Sequence, residues 1–237
     1  MNDFYSDTKT KPSHAMLEYA LGRTFGDEQQ DEDPTTLELC ERVAHLLGKE
    51  SAVLLPSGTM CNEIAIKVQT SPGDEIICGR SSHIINFEGG APAAMSGVMI
   101  HPLDGKYGQF TEEDVRQALR PESRYMPISR MLCAEQTANL GGGAVWQLEK
   151  LDSVAQVAKN SGLSTHLDGA RLLNACVKTG ISAAHYSREY DSCWIDFTKG
   201  LGAPMGAVLA GSAEFIQAAW RVTVSYTHLT LPTILLV

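Results

Sequence analysis

Short apolar runs alternate with amphipathic segments along most of the chain. The runs are four or five residues long, which is typical of buried strands, and the segments between them repeat apolar residues at helical spacing. The seven predicted strands are residues 52–55, 75–78, 98–101, 131–134, 163–167, 193–197 and 207–210. Strands that alternate with helices indicate crossover connections and a mainly parallel sheet flanked by helices, which is an α/β fold.

Capping residues predict where several helices begin. Asp33 and Pro34 are typical of a helix start, and Gly48 is expected to end that helix. Thr111-Glu112-Glu113-Asp114 resembles a capping box and predicts a helix to Arg120. The other predicted helices follow Gly58, span residues 148–159, and run from Ser212 to about Arg221.

The composition is that of a soluble globular protein, with 43% hydrophobic and 20% charged residues in a chain of 237. A net charge of −9 disfavours a nucleic-acid partner, because an acidic surface repels phosphate backbones. The sequence has neither a secretory signal nor an apolar stretch of membrane-spanning length, so we expect a cytoplasmic protein with no membrane partner. The six cysteines form no CxxC pair, and no metal site or disulfide framework is predicted.

Lys199 is the most informative single residue, because it lies in a glycine-rich loop directly after a predicted strand. Its amine could form a Schiff base with a carbonyl group, and Gly200 and Gly202 would let a flat ring approach the backbone. A lone lysine on a loop is more often simply exposed to solvent. Three further sites therefore decide the interpretation.

Two of these sites also follow predicted strands. Ser57, Gly58 and Thr59 lie between a strand and a helix, where helix N-terminal amides and hydroxyl groups suit a phosphate, although Ser-Gly-Thr also makes ordinary caps. Asp168 lies just past a strand and could bond a protonated pyridine nitrogen. A salt bridge between Asp168 and Arg171 explains the same residues equally well.

The third site is His83, which follows the strand at 75–78. Its imidazole could stack on a flat cofactor and exchange protons near physiological pH, although a lone histidine there would be a surface residue. All of these sites follow the carboxyl ends of strands, the edge where open α/β sheets bind ligands. Together they predict a pyridoxal 5′-phosphate (PLP) site.

With these residues in view, the sequence from residue 3 to about 221 resembles the low-specificity threonine aldolases. These belong to the β-eliminating lyases and have the aspartate-aminotransferase-like fold, PLP fold type I. The matching motifs include Tyr5-Ser6-Asp7-Thr8, Pro56-Ser57-Gly58-Thr59-Met60, Phe87-Glu88-Gly89-Gly90-Ala91, His166-Leu167-Asp168-Gly169-Ala170-Arg171 and Lys199-Gly200-Leu201-Gly202-Ala203-Pro204. The last two motifs, at this spacing, are specific to the family.

The resemblance implies roles at the cofactor. Lys199 would hold PLP covalently and Asp168 would bond its ring nitrogen. The phosphate would be bound by Ser57, Gly58 and Thr59. His83 would stack on the ring, and Arg171 would lie beside the cofactor.

The resemblance also implies how a substrate is held. Ser6 and Arg171 would bind the substrate carboxylate, and His83 would lie near the β-hydroxyl group. Tyr125 aligns with a histidine that lies near the β-substituent in well-known members. The chain departs from the family here, at Gln30, where a tyrosine is usual, and at Glu135-Gln136-Thr137-Ala138. These departures bear on side-chain preference and stereochemistry.

The implied reaction is the retro-aldol cleavage of β-hydroxy-α-amino acids, such as threonine or allo-threonine, to glycine and an aldehyde. One alternative is a different fold-type-I lyase that catalyses β-elimination and releases pyruvate and ammonia. Another is an inactive fragment. The family also implies a homodimer or homotetramer whose active site is shared across an interface.

Residues 222–237 break the pattern, since they are β-rich and nearly uncharged. The stretch Val-Ser-Tyr-Thr-His-Leu-Thr-Leu-Pro-Thr resembles translated adapter or vector sequence at the ends of unrelated proteins. We therefore expect residues 1–221 to form the PLP-binding large domain with an N-terminal arm, and 222–237 to be a non-native tail. On this interpretation the family's small C-terminal domain is missing, and the chain itself is poorly soluble and inactive.

Overall fold

The computed structural model describes residues 3–230, which are built around a seven-stranded sheet. The strands are β1 (Ser51–Leu55), β2 (Glu75–Gly79), β3 (Met99–Leu103), β4 (Ser129–Glu135), β5 (Ser164–Asp168), β6 (Ser192–Asp196) and β7 (Ala207–Gly211). Their order is β1-β7-β6-β5-β4-β2-β3, and only the pairs that contain β7 are antiparallel. Each strand matches its predicted range to within two residues at either end. The mainly parallel α/β fold is confirmed.

The helices cover both faces of this sheet. They are α1 (His14–Leu21), α2 (Pro34–Leu47), α3 (Gly58–Gln69), α4 (His83–Asn86), α5 (Glu112–Ala118), α6 (Leu148–Asn160), α7 (Leu172–Thr179), α8 (Ala183–Ser187) and α9 (Ala213–Thr230). The predicted caps are present: the Asp33 carboxylate accepts the Thr36 amide at 2.7 Å, and Thr111 and Asp114 form the capping box. The sequence analysis did not predict α1, α4, α7 or α8.

The end of α9 corrects one expectation. The helix was predicted to stop near Arg221, but it continues to Thr230. Ile216, Ala219 and Val222 lie on one apolar face of the helix that packs against the core. The boundary at residue 221 and the non-native tail remain predictions, and residues 231–237 of that tail lie outside the described residues.

Alternate residues of the central strands enter two separate cores. In β4, Met131 and Cys133 pack on the α3 and α9 side, whereas Leu132 and Ala134 pack on the α5 and α6 side. Both faces of the sheet are therefore buried, which explains why the sequences of the strands are mostly continuous apolar runs. None of the described helices is both long and apolar enough to cross a membrane.

The strand directions bring the predicted site residues to one edge. β2, β4, β5 and β6 are parallel, and β1 points the same way as β6 because both are antiparallel to β7. The carboxyl ends of these five strands therefore lie at the same edge, where the next loops and helices begin.

Candidate active site

A cleft of about 210 Å³ opens at this edge of the sheet. Its lining contains every predicted cofactor-binding residue, brought together from four loops. These residues are Ser57, Gly58, Thr59, His83, Asp168, Arg171 and Lys199. The loops that supply them follow β1, β2, β5 and β6, so the convergence is a direct consequence of the strand order.

Asp168 ends β5 and is 5% exposed. Its Oδ1 accepts the Ala170 amide at 3.0 Å and its Oδ2 accepts Asn62 Nδ2 at 3.0 Å. Burial raises the pKa of Asp168, while these hydrogen bonds act in the opposite direction. No lysine or arginine of the described chain lies within ion-pairing distance of this carboxylate, so the salt bridge between Asp168 and Arg171 is not formed.

Arg171 instead pairs with Asp7, in the N-terminal segment. The guanidinium makes two parallel bonds, Nε to Oδ2 at 2.6 Å and Nη2 to Oδ1 at 2.8 Å. The hydrogen bond to Arg171 is the main cause that lowers the pKa of Asp7. The same N-terminal segment also reaches the lysine loop, because Thr10 Oγ1 donates to the Lys199 carbonyl at 2.7 Å.

Lys199 follows β6, and its side chain is 13% exposed. Its ammonium group is ion-paired with Asp196, the last residue of β6, and lies 5.7 Å from the centre of the Trp194 ring. Asp196 is held in place by the Thr198 amide and hydroxyl group, which both donate to its Oδ1. The amine is therefore partly buried, fixed, and directed into the cleft that it lines.

The start of α3 forms another wall of the cleft. Ser57 is the N-cap, and its hydroxyl oxygen accepts the Met60 amide at 3.3 Å. Gly58 is required for a reason that the sequence did not indicate: a Cβ atom here would overlap the six-membered ring of Trp194. The glycine thus lets the indole pack under the helix N-terminus.

His83 opens α4, and its ring is held from behind. Nδ1 lies 2.7 Å from Glu88 Oε1, and the His83 amide donates to Glu135 Oε2 at 2.8 Å. The hydrogen bond to Glu88 is the largest cause that raises the pKa of His83. Burial, followed by the negative charge of Asp168, raises the pKa of Glu135 to about 7.

Asn62, on α3, connects these groups. Its Nδ2 donates to Glu88 at 2.7 Å and to Asp168 at 3.0 Å. Its Oδ1 accepts from Trp194 Nε1 at 2.7 Å and lies 3.0 Å from His166 Nε2. All four hydrogen-bonding positions of the amide are therefore used, which fixes its orientation without ambiguity.

The sequence analysis did not single out Asn62, Glu88, Asp7 or Asp196 for a role in the site. A usable signal existed for Asn62, since it lies one helical turn after Thr59 on the same helix. Glu88 lies five residues after His83, which gives no periodic signal. Asp7 pairs with Arg171 only because the fold brings the two segments together, and Asp196 pairs with Lys199 because of the loop geometry after β6. Residue spacing reveals neither contact.

Two predicted substrate-binding residues do not line the cleft. Ser6 caps the short turn that contains Asp7, and its hydroxyl group is bonded to Thr8 at 2.8 Å. Tyr125 is 89% exposed and lies just before β4, at the amino end of that strand. Because the cleft is at the carboxyl ends of the strands, Tyr125 lies away from the cleft of its own chain, and its role at a substrate stays a prediction.

Several known proteins are similar to this chain in sequence. A family model for beta-eliminating lyases matches residues 3–228. Low-specificity L-threonine aldolase 1 of Arabidopsis thaliana is 37% identical over 223 residues, or 92% of this chain and 62% of that protein. The low specificity L-threonine aldolase of Escherichia coli K12 is 34% identical over 224 residues, or 93% of this chain and 66% of that protein.

A solved structure of threonine aldolase from Leishmania major has the same fold. It superposes with a TM-score of 0.79 at 23% identity, covering 91% of this chain and 63% of that one. The chain spans less than two thirds of the length of each of these three relatives.

Proposed function

The chain belongs to the beta-eliminating lyase family, and we propose that it cleaves β-hydroxy-α-amino acids to glycine and an aldehyde with bound PLP. The relatives named as threonine aldolases favour this reaction over β-elimination. The observation that carries the proposal is the meeting of Lys199, Asp168 and the N-terminus of α3 in one cleft.

The cleft fits this cofactor in three respects. Lys199 offers an amine for covalent attachment, and the start of α3 offers Ser57, Gly58 and Thr59 to a phosphate. Asp168 is a buried carboxylate without a cationic partner in the described chain, and a protonated ring nitrogen would supply the missing positive charge. When bound, PLP would accept the negative charge that develops at Cα as the Cα–Cβ bond breaks.

We propose that His83 accepts the proton of the substrate β-hydroxyl group. Its Nδ1 faces Glu88 at 2.7 Å, which leaves Nε2 as the nitrogen that can accept a proton in the cleft. The negative charge of Glu88 would stabilise the imidazolium that forms. Loss of this proton assists cleavage, because the β-oxygen becomes the carbonyl oxygen of the departing aldehyde.

We propose that Arg171 binds the substrate carboxylate. Asp7 uses two of the five guanidinium N–H groups, so three remain for a second anion. Asp7 would then orient the planar group rather than block it. Ser6 would contribute through the same turn, which it caps.

We also propose that the protein forms a homodimer or homotetramer. Helix α1 has no buried residue in the single chain, and large apolar side chains around it, such as Leu21 and Phe25, are mostly exposed. A second copy that covers this segment would remove those side chains from water. Light scattering on the purified protein measures the mass, and a stable monomer would contradict the proposal.

The decisive experiment follows products and the lysine linkage together. With PLP and threonine or allo-threonine, the protein carrying a family-like C-terminus in place of residues 222–237 should release glycine and acetaldehyde, and borohydride should fix the cofactor on Lys199. Lys199→Ala should abolish both results and keep the fold. Pyruvate and ammonia from cysteine or serine, without aldehyde release, would favour β-elimination instead. A label on another lysine would contradict the assignment of Lys199.

A further inference from the structure

Two buried carboxyl groups lie behind His83, away from the cleft lining. Glu63, on α3, is 3% exposed and Glu88 is 5% exposed. Both carboxyl oxygens of Glu63 and Oε2 of Glu88 are shielded from water, and no N–H or O–H group of the described residues donates to them as they stand. Two ionised carboxylates left in this way would be strongly destabilising.

The two carboxyl groups act directly on each other, since burial, a side-chain contact with Glu88 and the charge of Glu88 all raise the pKa of Glu63. A carboxyl–carboxylate hydrogen bond requires that one of the two groups keeps its proton. Burial, followed by the contact with Glu88, raises the pKa of Glu63 to about 9. Neither oxygen of Glu63 accepts a hydrogen bond in the described chain, whereas Glu88 Oε1 has two partners. Glu63 is therefore the group that keeps the proton at neutral pH, and it donates its O–H to Glu88.

Glu88 is suited to be the ionised partner. Its Oε1 accepts Asn62 Nδ2 at 2.7 Å and lies 2.7 Å from His83 Nδ1. With the Glu63 O–H on the other oxygen, the Glu88 carboxylate has three donors and no orphaned oxygen. This arrangement requires hydrogen on His83 Nδ1 and leaves Nε2 free.

Other titratable groups surround the pair without supplying a donor to Glu63 within the described chain. Asp168 and Glu135 are carboxyl groups that line the cleft together with His83. Lys67, one helical turn after Glu63, is bonded to the Met95 carbonyl at 3.1 Å. The buried thiols Cys61 and Cys133 pack in the same core.

We propose that Glu63 and Glu88 share a single proton, and that Glu63 is a positioning residue that sets the tautomer and basicity of His83. The Glu63 O–H keeps Glu88 ionised and lowers the charge density on its carboxylate. This limits how strongly Glu88 holds a proton on His83. The role of His83 in turnover rests on the proposed function, whereas the proton arrangement is a property of the protein alone.

Infrared difference spectroscopy tests where the proton lies. The spectrum of the unmodified protein minus that of Glu63→Gln should show the carbonyl stretch of a buried protonated carboxyl at neutral pH. This band should disappear only well above neutral pH, because burial and Glu88 both raise the pKa of Glu63. Carboxylate bands at neutral pH in the same difference spectrum would overturn the proposal. Glu63→Gln is nearly isosteric and keeps an N–H donor to Glu88, so its fold should be preserved.

The second measurement is the titration of His83 by nuclear magnetic resonance, without added cofactor. Glu63→Leu removes the donor to Glu88 and should raise the His83 midpoint by roughly one pH unit, whereas Glu63→Gln should change it much less. The exposed His185 serves as the reference that should not move. A His83 midpoint that is the same in all three proteins would overturn the positioning role.

The two proposals fail in different ways. A protein that shows the protonated carboxyl band and the His83 shift but releases no aldehyde would support the shared proton and contradict the proposed function. If Glu63→Leu does not fold, the infrared difference between the unmodified protein and Glu63→Gln decides the question.

Discussion

Asp7 and Arg171 form a two-point ion pair between residues 164 positions apart in the chain, with bonds of 2.6 and 2.8 Å. The pair joins the N-terminal segment to the loop after β5. Because Arg171 pairs with Asp7, Asp168 makes no salt bridge with Arg171, although it lies only three positions earlier. Asp168 instead accepts hydrogen bonds from Asn62 and the Ala170 amide. A planar guanidinium held on one side presents its other donors in a fixed direction.

Asp7→Asn should therefore weaken substrate binding more than it slows the chemical step. Loss of a charge-assisted hydrogen bond of about 1.5 kcal/mol would raise KM roughly tenfold, with a smaller change in kcat. Steady-state kinetics with threonine measure both constants. Asp3→Asn is the matched control, because Asp3 pairs with Lys9 at an exposed position. A lower KM would mean that Asp7 competes with the substrate for Arg171.

Asp168→Asn should retain some PLP and lose most activity. The amide keeps the shape of the side chain but cannot hold the ring nitrogen protonated. We expect at least a hundredfold loss in kcat, or about 2.7 kcal/mol. Cofactor absorbance and aldehyde release measure the two properties separately. Near-normal turnover would limit Asp168 to accepting hydrogen bonds from Asn62 and Ala170.

Gly58→Ala should destabilise the fold even without cofactor. The added methyl group would overlap Trp194, and that indole is fixed by its hydrogen bond to Asn62 at 2.7 Å. Overpacking of this kind costs about 1–3 kcal/mol. Urea unfolding of the apoprotein measures the loss. Gly22→Ala is the control, since a Cβ there makes only ordinary contacts at 3.7 Å. Equal stability of the two variants would show that the indole moves aside freely.

His166 should make the protein less stable in acid. It is 1% exposed, and burial lowers its pKa to about 3. Between that value and the ordinary one of about 6.5, the unfolded chain binds a proton that the folded chain does not. The stability that the folded state gains by keeping His166 neutral is therefore fully present above about pH 6.5 and is lost as the pH falls toward 3.

The expected loss from His166 alone is about 2 kcal/mol in the free energy of unfolding between about pH 7 and pH 5. Urea titrations at both pH values measure it. His166→Gln should show a correspondingly smaller decline, whereas His14→Gln, at an exposed position, should follow the unmodified protein. An unchanged pH dependence in His166→Gln would contradict this assignment.

Local sequence patterns predicted the strands, most helix starts, and the positions of Lys199, Asp168, His83 and Gly58 directly after strands. Each of these features depends on a local pattern: apolar runs, caps, and polar residues directly after a strand. The edge where they meet also followed from the pattern, because crossover connections make the strands parallel.

The tertiary structure alone decided which groups act on one another. The spacing of Asp168 and Arg171 left a salt bridge open, but Arg171 pairs with Asp7. Glycine at residue 58 is needed for an indole from β6, and Tyr125 lies at the opposite edge from the cleft. Helix α9 continues past Arg221, where Val222 still packs against the core.

The proton shared by Glu63 and Glu88 is another feature that only the tertiary structure decides. In the sequence, Glu63 is an ordinary charged residue of an amphipathic helix, and only the fold buries it against another carboxyl group. Local sequence fixes backbone geometry through short-range sterics and periodic burial. The partner of a buried polar group is chosen by contacts between distant segments, and for that reason only the folded chain reveals it.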